Sequence, residues 1–235
     1  MNILSLFDGM SCGMLAMMDA GVTVDNYIAY EIDQNAIKTS RHNFPQIIQK
    51  GDVFKGDFHK YKGFDFLVGG SPCTYWSIAK IEGRETKAEG LGWDLFCQYN
   101  RALQEAKPRY FIYENNASMS KEIRESICDT FGFEDIKINS SLVSAQNRSR
   151  LYWVGKLNDN GTYDKVAVEQ PKDKGILLED MLNDGIVTKD KAYCLKHQEG
   201  NARDHFKKHH TDIKYEAVNV TAQGKAHTIS TSIKR

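Results

Sequence analysis

Two spacings of apolar residues alternate along the first two-thirds of the chain. Ile3 to Phe7, Val24 to Tyr30, Phe64 to Val68 and Tyr110 to Tyr113 are short apolar runs, the pattern of strands buried on both faces. Met14 to Ala20, Gln34 to Asn43, Asp94 to Ala106 and Lys121 to Phe131 read as helices, the third distinctly amphipathic. That third helix runs up to Pro108, whose ring cannot continue it. Phe133 to Asn139 and Leu151 to Val154 predict two more strands. The alternation predicts an α/β fold, a mostly parallel sheet with helices on both faces, in which ligands lie at the carboxyl ends of the strands. Beyond about Gly155 the pattern degrades into polar, turn-rich sequence. The expected organisation is a domain over residues 1–157 and a smaller, partial lobe over 158–235.

Composition changes this picture little. Of 235 residues 41% are hydrophobic, with 11 Phe, 11 Tyr and 3 Trp, enough for a packed core and too apolar for whole-chain disorder. Lys plus Arg and Asp plus Glu are both 31, so the net charge says nothing for or against a nucleic-acid partner; a basic face would decide that. Five scattered Cys with no C-x-x-C pair read as reduced cytosolic thiols, not as a disulfide framework or a zinc site. Asn2 to Phe7 is stopped by Asp8 and lacks a basic leader, and no apolar stretch is long enough for a bilayer. The expectation is a soluble cytoplasmic protein.

The candidate chemistry gathers at the ends of the expected strands. Phe7-Asp8-Gly9-x-Ser11-x-Gly13 joins a strand to a helix, where glycines allow a sharp turn and the helix N-terminus offers free N–H groups. Alone, such a loop also serves nicotinamide or flavin cofactors, or simply turns the chain. Glu31, followed by Ile32, ends the next strand at the spacing at which such folds hold ribose hydroxyls. Asp52, followed by Val53, stands where an adenine amine would be met, or is a turn residue. Three strand ends with suitable groups together suggest an adenosyl ligand. Gly69-Gly70-Ser71-Pro72-Cys73 is the sharpest signal: a Cys in a rigid loop after a strand suits exposed thiol chemistry better than packing. Cys12, Cys97, Cys128 and Cys194 read as structural. Glu114-Asn115 ends a strand at the edge where Cys73 emerges, and Gln146-Asn147-Arg148-Ser149-Arg150 leads into another.

In this order the motifs resemble those of the DNA cytosine-5 methyltransferases, over Met1 to about Lys156. Ser71 before Pro72 and the stretch Trp76 to Asn116 look most like the de novo branch and phage-encoded relatives. The resemblance implies a Rossmann-like fold binding S-adenosylmethionine and double-stranded DNA, and methyl transfer to carbon 5 of a flipped cytosine. It implies that Cys73 adds to carbon 6, that Glu114 bonds ring nitrogen 3 and the exocyclic amine, and that Arg150 contacts the base carbonyl. Arg148 would lie on the Glu114 side or on the DNA backbone, and Asn115 would brace the Pro72-Cys73 loop. Phe7 would stack on adenine, Glu31 would hold the ribose and Asp52 the adenine amine, within a cofactor set of Phe7, Asp8, Gly9, Gly13, Glu31, Ile32, Asp52, Val53 and Pro72. The segment Thr74 to Gly92, with Lys80, Arg84 and Lys87, would be a mobile loop closing on the base, or a surface loop with solvated charges.

Such enzymes usually finish with an Arg- and Pro-containing motif and a Gly-Asn-small helix. Neither stands out after Pro171, and Gly200-Asn201-Ala202 is a superficial match followed by charged residues. The expectation is a chain lacking its C-terminal part: a truncated product, a gene fragment, or one half of a split enzyme whose second polypeptide supplies the rest. Lys196, Arg203, Lys207 and Lys208 with nearby histidines would then be phosphate contacts or solvated surface. An RNA cytosine-5 enzyme and a non-catalytic DNA-binding subunit are the competing functions.

Overall fold

The computed structural model describes residues 1–78, 82–182, 186–187, 189–193 and 213–214. In chain order the main elements are β1 (Asn2–Leu6), α1 (Cys12–Asp19), β2 (Asn26–Tyr30), α2 (Gln34–Asn43), β3 (Ile48–Gln49), β4 (Phe66–Gly69), α3 (Gly90–Ala106), β5 (Tyr110–Asn116), α4 (Lys121–Phe131), β6 (Ile136–Asn139), β7 (Gln146–Asn147), β8 (Ser149–Leu157) and β9 (Tyr163–Lys165). The main sheet has the order β3-β2-β1-β4-β5-β8-β6, with β9 paired to β8. It is parallel from β3 to β5, while β8 is antiparallel to β5 and β9 to β8. The α/β architecture expected from the sequence is therefore present, with an antiparallel flank on a parallel core.

Strand alternation explains the two-sided core. Ile3, Tyr27 and Ala29 point to one face, where they meet Met14 of α1 and Ile47. Leu4, Leu6, Ile28, Tyr30 and Leu67 point to the other, among Phe96, Tyr99 and Leu103 of α3 and Ile123, Ile127 and Phe131 of α4. Successive strand residues face opposite sides, so a sheet covered twice needs apolar residues at nearly every position.

Local chemistry sets the helix limits. Asp33 caps α2 by accepting from Asn35 N and Ala36 N, and Ser120 caps α4 by accepting from Ile123 N. Gly132 closes α4 in the left-handed conformation at φ 81. Both helices cover the residues that the spacing predicts. α3 begins at Gly90, four residues before the expected Asp94, because the Glu85 carboxylate accepts from Gly92 N at 3.1 Å and caps the extra turn. β5 runs three residues past Tyr113, because β8 continues the ladder opposite it, pairing Glu114 with Tyr152, Asn115 with Leu151 and Asn116 with Arg150. The β8–β9 hairpin was not visible as a strand pair in the sequence. Its turn is built by the Asn158 side chain, which accepts from Asn160 N and Thr162 N at 3.1 Å each, with Gly161 at φ 78.

The chain divides into two units, Met1–Lys137 with Arg150–Glu169, and Ile138–Ser149 with Gln170–Arg235. In the second, β7 pairs in parallel with Ala192–Tyr193, and Ile186–Val187 pairs antiparallel with Ile213–Lys214. The Lys191 ammonium donates to the carbonyls of Ser141, Ser144 and Ile176. No described helix is long and apolar enough to cross a membrane. The basic and histidine-rich positions from Lys196 to Lys208, and Gly200-Asn201-Ala202, lie outside the described residues, as does Lys80.

Candidate active site

Three strands of the first unit end in one row, level with Tyr113 of β5: Leu6 pairs with Tyr30 on one side and Gly69 on the other, and Gly69 pairs with Tyr113. The chain leaves β1 outward through β2 and β3 and returns to β4, so the order reverses between β1 and β4. That reversal opens a crevice at the carboxyl edge, where ligands of such sheets bind. The loops that leave this row carry Asp8, Glu31 and Cys73, and β5, continuing past it, carries Glu114.

The first loop is conformationally strained. Phe7, Gly9 and Ser11 have φ of 57, 59 and 64, and for a bulky residue such as Phe7 the left-handed region is costly. Asp8 holds it there. Its Oδ1 accepts from Ser5 Oγ at 2.6 Å and from Tyr27 OH at 2.7 Å, and its Oδ2 accepts from Ser11 Oγ. Ser11 is itself linked to Ser40 of α2 at 2.6 Å. The Asp8 carboxylate is thus turned into the loop's own scaffold. Gly13 is required by the same packing, since a Cβ there would lie 2.8 Å from Tyr27 OH. Burial pushes the Tyr27 hydroxyl pKa well up, and the adjacent Asp8 charge adds to it, so the phenol stays a neutral donor.

Glu31 ties the first two loops together. Its Oε2 accepts from Gly9 N at 2.7 Å, and its Oε1 accepts from Ile32 N and Asp33 N at 2.8 and 2.9 Å. Asp52 opens the one-turn helix Val53–Lys55 by accepting from Phe54 N at 3.0 Å. Arg101 of α3 fixes that turn by donating to Val53 O and Gly56 O at 2.9 Å each while lying over the Phe58 ring. Ile32 is 69% exposed beside Glu31, and Phe54 is 49% exposed beside buried Val53.

Cys73, half-buried, begins a one-turn helix to Tyr75, and its carbonyl accepts from Trp76 N and Ser77 N. Ser71, one residue before Pro72, anchors the loop. The Asn115 amide donates to Ser71 O at 3.1 Å, and Ser71 Oγ shares a 2.6 Å hydrogen bond with Tyr113 OH. Burial keeps Tyr113 neutral by raising its pKa. The loop presses on the next strand: a Cβ on Gly70 would lie 2.3 Å from Glu114 O. Glu114 Oε1 forms an ion pair with Arg150 Nε at 2.7 Å. Arg148 belongs to the second unit, where its N–H donates to Asn139 Oδ1 at 2.9 Å.

The first unit thus brings the Cys73 loop, Glu114, Asn115 and Arg150 to the same edge as the Phe7–Gly13 loop, Glu31 and Asp52. Sequence reasoning missed Tyr27, Tyr113, Trp76, Glu85 and Arg101, and placed Arg84 in a loop closing on the base without its internal partners. Their partners lie far along the chain or in loops, so no local spacing marks them; only Ser71, adjacent to Pro72, stood in a visible motif.

A family model described as C-5 cytosine-specific DNA methylase matches residues 1–234. The chain belongs to that family. Among the relatives this chain is similar to are an orphan methyltransferase, M.Rho11sI of Bacillus phage rho11s, and a type II methyltransferase, M.Eco47II of Escherichia coli. The first is 32% identical over 72% of this chain and 36% of its own length, the second 31% over 78% and 46%. The chain spans less than half the length of either curated relative. A crystal structure of a prophage-encoded E. coli protein, described as a DNA modification methyltransferase, aligns with a TM-score of 0.51 at 24% identity. The alignment covers 86% of this chain and 62% of that one, and it supports the fold. The family match extends through the region expected to be an incomplete lobe, and lends no support to a second polypeptide.

Proposed function

We propose that this chain methylates carbon 5 of cytosine in double-stranded DNA, with Cys73 as nucleophile and S-adenosylmethionine as donor. The observation that carries the reading is the joint placement of the Cys73 loop and the Glu114–Arg150 ion pair beside the strained loop at Phe7. In this reading residues 1–157 hold cofactor and chemistry, and 158–235 contribute to target recognition.

The residues present fit such a cofactor. Exposed Ile32 and Phe54 beside two strand-end carboxylates offer apolar cover and hydrogen-bond acceptors to an adenosine. Phe7 would stack on the adenine, Glu31 would meet the ribose, Asp52 the adenine amine, and Gly9, Gly13, Val53 and Pro72 would allow close approach. When bound, the sulfonium supplies an electrophilic methyl group.

The flipped base would lie against Cys73, Glu114 and Arg150. The Cys73 thiolate bonds to carbon 6, and the pair of the 5,6 double bond moves toward carbon 5, which becomes nucleophilic. Glu114 bonds ring nitrogen 3 and the amine and Arg150 the base carbonyl, stabilising charge as it develops. After methylation, loss of the carbon 5 proton restores the double bond and expels the Cys73 thiolate. Asn115 holds the loop still throughout, and Arg148 would contact the strand.

The test is covalent trapping with S-adenosylmethionine and duplexes containing 5-fluorocytosine, in which the final proton loss is blocked. A stable adduct with the chain and none with Cys73→Ser is the expected result. An equal adduct in both, or none in either, overturns the reading.

A further inference from the structure

The segment between the Cys73 turn and α3 carries two charges whose partners are all inside the protein. Arg84 Nε donates to Trp76 O at 3.1 Å, and its Nη2 donates to Ser118 O at 2.7 Å. Glu85 Oε2 accepts from the Trp76 indole N–H at 3.2 Å and from Gly92 N at 3.1 Å. Glu85 N donates to Tyr75 O at 2.9 Å, and Thr86 O accepts from Ser120 Oγ at 2.5 Å. Trp76 is fully buried and closes the Cys73 turn through its own N–H. The strap 84–86 therefore joins three pieces: the turn that begins with Cys73, the first turn of α3, and the loop that follows Glu114, Asn115 and Asn116.

This arrangement is not what a phosphate-binding arginine needs. A cation reserved for DNA keeps its N–H groups toward solvent, whereas here two of the three guanidinium nitrogens, Nε and Nη2, donate to backbone carbonyls. The Ser118 end is itself rigid. Asn116 Oδ1 accepts from Ser118 N and Oγ, and Asn115 Oδ1 accepts from Asn116 N. A chain of hydrogen bonds thus runs from Trp76 through Arg84, Ser118, Asn116 and Asn115 back to Ser71, two residues before Cys73.

We propose that Arg84 and Glu85 are positioning residues that hold the Cys73 turn in register with the strand end bearing Glu114. The inference rests on the function proposed above for its catalytic consequence, but not for its structural one. A group misplaced by about 1 Å loses roughly 10²-fold in rate. Loss of the Arg84 bridge therefore lowers the rate of adduct formation without weakening DNA binding.

The experiment has two readouts on the chain, Arg84→Gln and Glu85→Gln. The first is site-resolved alkylation of Cys73 by iodoacetamide without DNA, with exposed Cys97 as internal standard. The second is the adduct rate at saturating 5-fluorocytosine duplex, with duplex affinity measured across salt concentrations. Arg84→Gln is expected to change the Cys73-to-Cys97 alkylation ratio at least threefold and to slow adduct formation at least tenfold, with affinity and salt dependence unchanged. Glu85→Gln, which keeps its shape and one acceptor, shifts both readouts in the same direction by less, and carries the test should Arg84→Gln fail to fold. A weaker affinity with a shallower salt dependence would mean a phosphate contact and overturn the proposal, as would an unchanged alkylation ratio in both variants. If the parent chain forms no adduct while the ratio still responds, the methylation reading fails and the positioning role stands.

Discussion

Arg150 meets Glu114 diagonally across the β5–β8 ladder, with Nε 2.7 Å from Oε1. Glu114 is paired directly with Tyr152, two residues further along β8. Diagonal neighbours two residues apart share a face of the sheet, so the antiparallel pairing itself brings these side chains together. The Arg150 side chain is only 14% exposed, against 37% for Glu114, which leaves the carboxylate as the accessible end of the pair.

Removing either partner should therefore damage the same step. Glu114→Gln and Arg150→Gln are each expected to slow adduct formation by about 10² to 10³-fold, the scale of losing one charge-stabilising group. The double variant should be little worse than the poorer single, because the two act as a unit. Single-turnover adduct kinetics on the four proteins measure this, and strictly multiplicative losses would dissolve the pair.

Asp8→Asn tests the scaffold of the cofactor loop. The carboxylate accepts from three hydroxyls, and an amide with one acceptor oxygen cannot replace it. Each buried hydroxyl left without a partner costs about 1–3 kcal/mol. A lower melting temperature and at least tenfold weaker binding of S-adenosylmethionine are expected, since Phe7 and Ser11 lose what holds them left-handed. Calorimetry of unfolding and of cofactor binding reads both; a lower melting temperature with unchanged affinity would make the network structural only.

What the sequence disclosed and what it hid divide along one line. Residues engaged with near neighbours in the chain, such as the strand runs at Ile3 and Tyr110 and the helices from Gln34 and Lys121, were legible because spacing is local. Cys73 and Glu114 were legible for another reason, as members of short motifs beside strand ends. Glu31 was expected to meet a ribose, and its engagement by Gly9, Ile32 and Asp33 could not be seen, because loop closure depends on two strands being adjacent. Arg84 read as part of a loop closing on the base or as a solvated charge for the same reason: its partner Ser118 lies 34 residues away.

Gly13 and Tyr27 form a second coupled pair. Gly13→Ala sets a Cβ 2.8 Å from a phenol oxygen that is itself fixed on Asp8, so helix α1 or Tyr27 must shift. Overpacking of this kind costs about 1–3 kcal/mol. Tyr27→Phe removes the clashing atom and the Asp8 hydrogen bond together. In the double variant the loss should be smaller than the sum of the singles, by about 1 kcal/mol or more. Denaturant melts of the four proteins give the coupling, and additivity would show that the clash is relieved by backbone movement.

Buried tyrosines set the alkaline limit of the fold. Tyr27, Tyr99 and Tyr113 all have their pKa raised by burial, while the unfolded chain ionises its tyrosines near the ordinary value of about 10. A raised folded pKa means that the folded state keeps a proton which the unfolded state releases. Stability is then complete below about pH 10 and falls as pH climbs above it, with each buried phenol adding to the slope. The ionisation of these three should appear only together with cooperative unfolding. Phenolate absorbance and circular dichroism recorded in one alkaline titration should thus show an early, gradual phase from accessible tyrosines and a late phase coincident with loss of structure. Tyr113→Phe removes one such proton, so its stability should decline less steeply with pH above about 10 than that of the parent chain. A Tyr113 that ionised in the gradual phase would contradict its burial between Ser71 and Asn115, and with it the rigidity of the loop that presents Cys73.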